Sequence, residues 1–336
     1  MFLRDSLKYS YYQFFKLLWV NRYFRLKNRD KPIVLTYHGV LPEIPTDQPD
    51  YEYRNFVTVK QFEKQLSFLL KTFRPLKASD FYNGNSNLSG GFLITFDDGF
   101  RNNFSYAVPI LQKYGLQAVF FITTEFIGSR EFLWTEQVTR MIQKTNKQVL
   151  EVELDKKYSL KLSSIPDKEN ASQIIRKYLK NQPPLKRNKI LEQMKSQLND
   201  VELTINREDE ERYLFMSWEE VGEMTNSGQM VGSHTHTHSI LSTLNEEESL
   251  QELKLSKEAI ESHTNKPCLV MSYPNGEKND YSALQKKQLK ALGYECAFTQ
   301  IPPFRNYQTD RYELNRVNVS LKMSGVVFEA KISGIH

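Results

Sequence analysis

Six short apolar runs punctuate the chain, and each ends at a polar or reactive side chain. Residues 33–37 (IVLTY) lead into His38-Gly39, residues 92–96 (FLITF) into Asp97-Asp98-Gly99, and residues 117–123 (QAVFFIT) into Thr124-Glu125. Residues 229–233 (QMVGS) lead into His234, residues 268–273 (CLVMSY) into Pro274-Asn275-Gly276, and residues 294–299 (YECAFT) into Gln300. Runs this short and this continuous read as strands buried on both faces. Between them the period changes to that of a helix. Phe62, Leu66, Leu69, Leu70 and Phe73 follow a Thr58 cap. Leu250, Leu253 and Ile260 form a second stripe opened by Ser242 or Asn245, and a third through Leu284, Leu289 and Leu292 stops at Gly293. Alternating strands and helices predict parallel βαβ units whose ligands bind at the carboxyl ends of the strands. Seven or eight such strands predict a closed or nearly closed barrel.

From about residue 134 to residue 215 this rhythm breaks into a hairpin pattern (QVLEVELDKKYSLKL) and charged helical stretches around Pro183-Pro184. The segment reads as an insertion in a domain covering residues 31–336. It carries no candidate catalytic residue and is expected to be passive decoration, or else a lid or partner surface. The length of 336 residues fits one barrel with such an insertion, and 40% hydrophobic with 25% charged residues excludes a disordered chain.

Charge changes the picture at one end only. Residues 1–31 hold eight Lys/Arg against two Asp, which exceeds the net +5 of the whole chain and leaves the remainder at −1. A near-neutral body lacks the basic footprint of a nucleic-acid binder, so no nucleic-acid partner is expected. Residues 1–30 are expected to form a basic, aromatic helix. Its apolar run from Tyr11 to Val20 is too short to cross a bilayer, and no small-residue cleavage site follows it. Two readings stand: a helix lying at a membrane surface, which makes the protein cytoplasmic and peripheral, or a helix packed on the domain with a solvated basic side. Cys268 and Cys296 both sit in strand-like runs and are expected to be buried free thiols.

The chemistry concentrates at the strand ends. Adjacent carboxylates at Asp97-Asp98 point in different directions along a pleated chain, so one can ligate a cation while the other acts as a base. The string Ser233-His234-Thr235-His236-Thr237-His238 holds three of the six histidines. In an extended strand His234 and His238 would stand about 13 Å apart at ~3.3 Å rise, too far to share an ion. A helical turn brings positions i and i+4 onto one face, so the string predicts such a turn, with His236 facing elsewhere. Two histidines and one aspartate leave coordination positions open for water and substrate, with zinc the first expectation. The same set describes non-haem iron oxygenases; the second carboxylate, Asp97, favours hydrolysis because activating water calls for a base. Ser272-Tyr273-Pro274-Asn275-Gly276 presents a backbone amide at a sharp turn, and His38 closes its own strand.

Taken in order, TFDDGF, GSHTHTH and SYPNG resemble the motifs of the NodB-homology polysaccharide deacetylases, carbohydrate esterase family four, over residues 31–125 and 213–320. The early YHGV string, with the FEKQLSFLL helix after it, resembles the permuted branch that includes poly-N-acetylglucosamine deacetylases. The resemblance implies a distorted (β/α)7–8 barrel with a helical insertion, and metal-dependent removal of N-acetyl groups from a polysaccharide or glycan precursor. It implies Asp97 as catalytic base, and Asp98, His234 and His238 as ligands of a divalent metal. It further implies Asn275 as donor of a backbone N–H to the oxyanion and His38 as general acid. An N-acetylated glycan is the implied partner. Two departures stand out, with a candidate compensation for the first. Ser272 occupies the place where most members carry an arginine that orients the base, Arg316 in LNRVNV is a candidate replacement, and the late LxIH motif is absent. Trp218 matches a recurrent aromatic of the branch and is also explained by core packing. An amidase or deformylase on a lipid-linked sugar or non-sugar amide is the alternative, and a binding module without turnover is a third.

Overall fold

In the computed structural model, residues 9–14, 19–45, 53–83, 87–304, 310–323 and 325–335 are described. Eight parallel strands form the main sheet: β1 (Ile33–Tyr37), β2 (Arg74–Pro75), β3 (Gly91–Phe96), β4 (Ala118–Ile122), β5 (Met230–Ser233), β6 (Val270–Ser272), β7 (Cys296–Phe298) and β8 (Val317–Asn318). Their order is β7-β6-β5-β4-β3-β1-β8, with β2 added beside the start of β3. The apolar runs become strands because both faces are covered: every residue of β1, β3 and β4 is buried.

The two edges of the sheet nearly meet. Phe298 of β7 makes a parallel bridge to Leu314, whose N–H donates to the Ala297 carbonyl at 2.9 Å. Three residues later the same segment enters β8 and pairs with Leu35 of β1. The result is a distorted (β/α) barrel, as expected, with all strand ends of one polarity at one rim. Helix Val59–Thr72 takes its cap from Thr58, whose Oγ1 accepts from the Gln61 N–H at 3.1 Å, and buries Phe62, Leu66 and Leu69. Of the two caps considered for the 246–264 helix, Asn245 serves, in a reciprocal box with Glu248.

Residues 134–215 lie between β4 and the helix Trp218–Asn226 that leads into β5. They fold into helix Trp134–Lys144, an antiparallel hairpin Val149–Glu153/Lys157–Lys161, and helices Ile165–Leu179 and Pro184–Gln197. This segment has a hydrophobic cluster separate from the barrel's, including Val138, Leu150, Ile175 and Met194.

At the N-terminus, residues 1–8 and 15–18 lie outside the described residues, including part of the apolar run expected at 11–20. Helix Val20–Lys27 packs against helix Val326–Ser333, where Asn28 Nδ2 donates to the Ser333 carbonyl at 3.2 Å and Tyr12 is buried beside Val326 and Ala330. Tyr11, Phe14, Trp19 and Tyr23 are exposed, so the segment packs on the body and still shows aromatic surface. No helix among the described residues is long and apolar enough to cross a membrane. Cys268 and Cys296 are buried free thiols, as expected.

Candidate active site

The DDG turn follows β3. The Asp97 N–H donates to the Tyr37 carbonyl at 2.9 Å, which carries Asp97 one residue past the sheet, and the chain then reverses through Asp98 (φ 78°) and Gly99 (φ 95°). The two carboxylates consequently face different partners. Asp97, only 1% exposed, receives Arg316 Nη1 on Oδ1 and Nη2 on Oδ2, both at 2.8 Å. Gln300 Nε2 at 3.1 Å and Ser272 Oγ at 3.3 Å complete its shell on Oδ2. Burial opposes ionisation of Asp97, but the Arg316 charge with its hydrogen bonds, and His234, outweigh it and hold the carboxyl below its ordinary value.

Arg316 therefore stands where the motif arginine is missing. It enters from the barrel's opposite edge, one residue before β8, fully buried. Its Nε donates to the Thr299 carbonyl at 2.9 Å and its Nη2 to Ser272 Oγ at 2.5 Å. A serine at position 272 leaves room for this guanidinium and supplies an acceptor.

Asp98 faces the histidines. Its Oδ1 lies 3.5 Å from His234 Nε2 and 3.4 Å from His238 Nε2, and the three candidate ligand atoms lie within 4.8 Å of one another. Tetrahedral bonds of ~2.0–2.1 Å have edges of about 3.3–3.4 Å, so these separations fit one ion better than they fit direct hydrogen bonds. His234 Nδ1 donates to the Ser272 carbonyl at 2.8 Å, which turns the Nε2 lone pair toward Asp98. Burial pushes the His234 imidazole down to about 4, so it is neutral at pH 7, as a ligand must be. Burial works against the Asp98 carboxylate too, but the imidazoles around it, His238 first, then His38 and His234, outweigh burial and hold the carboxyl well below its ordinary value. The donor set fits a divalent cation.

The expected helical turn is not what joins the two histidines. Residues 234–239 form a bend in which Thr235 (φ 66°) and His238 (φ 59°) adopt left-handed backbone, so the rings reach 5.0 Å between centroids without any i→i+4 helical bond. Glu252 on the next helix holds that bend: its Oε2 accepts the N–H groups of His236 and Thr237 at 2.9 Å each, and its Oε1 the Thr237 hydroxyl at 2.6 Å. His236 points elsewhere, to Thr124 Oγ1 at 2.9 Å.

His38 and Asn275 join the same cavity of about 580 Å³, with Asp97, Asp98, His234, His238 and Gln300. The buried Nδ1 of His38 has no hydrogen-bond partner among the described residues. Asn275 sits in left-handed backbone (φ 61°), and the Gly276 carbonyl accepts from the Gln300 N–H at 2.8 Å. A Cβ on Gly276 would meet that Gln300 nitrogen at 2.8 Å, so the turn requires glycine there. Trp218 lies away from the cavity, stacked on His263 at 4.0 Å between centroids and packed against the barrel core.

Several of the cavity's residues carry no functional signal in the sequence. Gln300 was visible as a strand end but had no motif to give it a role. Trp134, Glu136, Arg176 and Lys180 also line the cavity and come from the 134–215 segment, which thus supplies part of the cavity wall. Only the i, i+4 spacing of Arg176 and Lys180 hinted that the two share a helix face.

Comparison with known proteins agrees with this geometry. The sequence model of the family described as polysaccharide deacetylase matches residues 88–151 and 168–297, more than half of the chain. The protein YxkH of Bacillus subtilis (strain 168), named after the polysaccharide deacetylases, is 24% identical over 284 residues, covering 83% of this chain and 71% of its own. Among solved structures, the Streptococcus pyogenes deacetylase PplD superposes with a TM-score of 0.56 at 16% identity, covering 90% of this chain and 98% of that one. IcaB from Ammonifex degensii superposes at 0.55 with 18% identity, over 91% of this chain and 98% of its own.

Proposed function

The chain belongs to the polysaccharide deacetylase family, a hydrolase of carbon–nitrogen bonds other than peptide bonds that deacetylates N-acetylated glycan, and from that premise we propose how its own residues carry the reaction. Asp98, His234 and His238 hold a divalent cation, zinc first. That cation supplies positive charge which acidifies water and polarises a carbonyl.

Asp97 is the base. Kept ionised by Arg316, it takes one proton from water, and the resulting hydroxide oxygen bonds to the acetamide carbonyl carbon. The Asn275 N–H donates to the oxygen on which negative charge develops. Protonated His38 gives its proton to the nitrogen as the C–N bond breaks, releasing acetate and the amine of the sugar. Gln300 and Ser272 fix the Asp97 carboxylate, so that it meets the water in one orientation.

The observation that supports this reading is the convergence of the Asp97–Arg316 pair and the Asp98–His234–His238 set on one cavity. Acetate release from N-acetylated glycans, including lipid-linked sugars, tests it with stripped and metal-restored protein. Asp97→Asn is expected to lower kcat by about 10²–10⁴-fold, the usual contribution of a general base, while the stoichiometry of bound metal stays the same. Unchanged turnover in that variant would remove Asp97 from the mechanism. Contact of the N-terminal segment with an anionic membrane surface is part of the same proposal, supported by exposed Tyr11, Phe14, Trp19 and Tyr23 among Arg and Lys. Equal sedimentation with anionic vesicles of the full chain and a chain starting at Lys31 would overturn it.

A further inference from the structure

The lining of the catalytic cavity is unbalanced in charge away from the acid-and-histidine side. Arg54, Arg176 and Lys180 all face it. Arg176 lies in the last turn of helix Ile165–Leu179, and Lys180, four residues on, is that helix's C-cap. Arg54 comes from the turn before Phe56–Thr58.

Arg54, Arg176 and Lys180 make no ion pair among the described residues. Arg176 Nε is shut off from solvent with no acceptor among the described residues. Lys180 Nζ donates to Asn275 Oδ1, which carries no charge. Burial, and next Arg54, lower the Arg176 guanidinium to about 10; burial, and next Arg176, lower Lys180. The carboxyl groups nearby compensate poorly. Glu136 Oε2 accepts from the Thr135 hydroxyl, and Asp280 Oδ2 from Asn275 Nδ2 and from the Glu277 N–H at 2.6 Å, so neither carboxylate is ion-paired with these cations among the described residues. Glu277 is the remaining acidic group on the lining apart from Asp97 and Asp98, which are engaged by Arg316 and by the histidines. Gathering like charges in a half-enclosed space costs free energy unless an anion arrives to share it.

We infer that Arg54, Arg176 and Lys180 form a subsite for an anionic oxygen group, a phosphate or a carboxylate, carried by the glycan next to the acetamido sugar that is hydrolysed. A guanidinium fork meets two oxygens of such a group at once, and an ammonium adds a point charge. The inference rests on the deacetylase reading for where the reacting sugar sits, and it names the substrate class as an anionic N-acetylated glycan. The 134–215 segment then determines specificity, because it supplies Arg176 and Lys180.

Calorimetric binding to the metal-loaded full chain tests this with three probes: N-acetylglucosamine, N-acetylglucosamine 1-phosphate, and a disaccharide of glucuronic acid and N-acetylglucosamine. At least one anionic probe should bind ten times or more tighter than the neutral sugar, with a margin that shrinks as salt rises, and the probe that does so separates phosphate from carboxylate. Arg176→Gln should cut the margin below threefold, and Arg176→Lys should keep part of it. If Arg176→Gln does not fold, the exposed Arg54→Gln serves, and it should cut the margin severalfold. Equal binding of all three probes by the wild type, or an unchanged margin in Arg54→Gln and Arg176→Gln, overturns the inference. Acetate release measured on the same probes keeps the two readings apart. Anion preference without acetate would remove the deacetylase mechanism and leave the subsite, whereas acetate without anion preference would do the reverse.

Discussion

Arg316 illustrates how one side chain decides the state of another. Its two N–H groups at 2.8 Å from the two oxygens of a fully buried Asp97 make a bidentate pair, and removing one partner of such a pair costs about 3–5 kcal/mol. Because the folded carboxyl has a lower pKa than the unfolded one, the folded state binds fewer protons. The pair's stability is therefore present above the unfolded value of about 3.9 and is lost as pH falls through the lower folded value. Arg316→Gln should lower the thermal midpoint at neutral pH and move the acid limb of kcat/KM upward, so that activity at pH 5 falls further than activity at pH 8. A pH–rate profile with an unmoved acid limb would show that Arg316 does not set the protonation of Asp97. At this scale Asp97, Asp98, His234 and His238 were legible in the sequence, since each lies in a short motif whose spacing carries meaning. Gln300 was not, because a lone glutamine at a strand end has no spacing to read.

Elements place these side chains through contacts that no periodicity encodes. The i, i+4 spacing of His234 and His238 suggested one ion and a helical turn. The structure brings the pair together, but through left-handed residues at Thr235 and His238. A helix there would need backbone N–H groups to bond four residues back; instead the N–H groups of His236 and Thr237 go to Glu252 on helix Glu246–Thr264. Glu252→Ala should leave two backbone donors without their acceptor, loosen the bend, and weaken metal affinity by roughly 10–100-fold, as loss of groups that orient ligands does. Competition titration against a chromophoric chelator reads this directly. Affinity unchanged in the variant would mean that the bend holds its shape without Glu252.

Across the described residues, the two largest hydrophobic clusters divide the work. The barrel cluster runs under the strands, and the 134–215 segment carries its own around Ile175, Leu191 and Met194. Ile175→Ala should cost about 2–5 kcal/mol, and that loss should fall on the segment first. Amide hydrogen exchange is expected to speed up in helices Ile165–Leu179 and Pro184–Gln197 while β3 and β4 stay protected; uniform acceleration would mean that the two clusters unfold as one. A bound cation should also stabilise the fold as a whole, since it binds the assembled Asp98–His234–His238 set and not the separated ligands. Saturation at 100 times Kd is worth about 2.7 kcal/mol, so chelation should lower Tm by several degrees in the wild type and by much less in His238→Ala.

The sequence alone determined the alternation of buried strands and amphipathic helices, and with it the parallel barrel and the rim where the motifs lie. It did so because burial and periodicity are properties of neighbouring residues. It also carried the candidate metal-ligand set, since Asp98 sits at one strand end and His234 and His238 sit four residues apart, and the fold brings these three together. Only the tertiary structure decided that Arg316 pairs with Asp97 across 219 positions of chain, that Gln300 joins them, and that Arg176 and Lys180 reach the same cavity. Those contacts depend on strand register, on the edges of the sheet meeting between β7 and β8, and on how the 134–215 segment docks. Each of these is set by packing summed over the whole fold, which no local pattern of residues records.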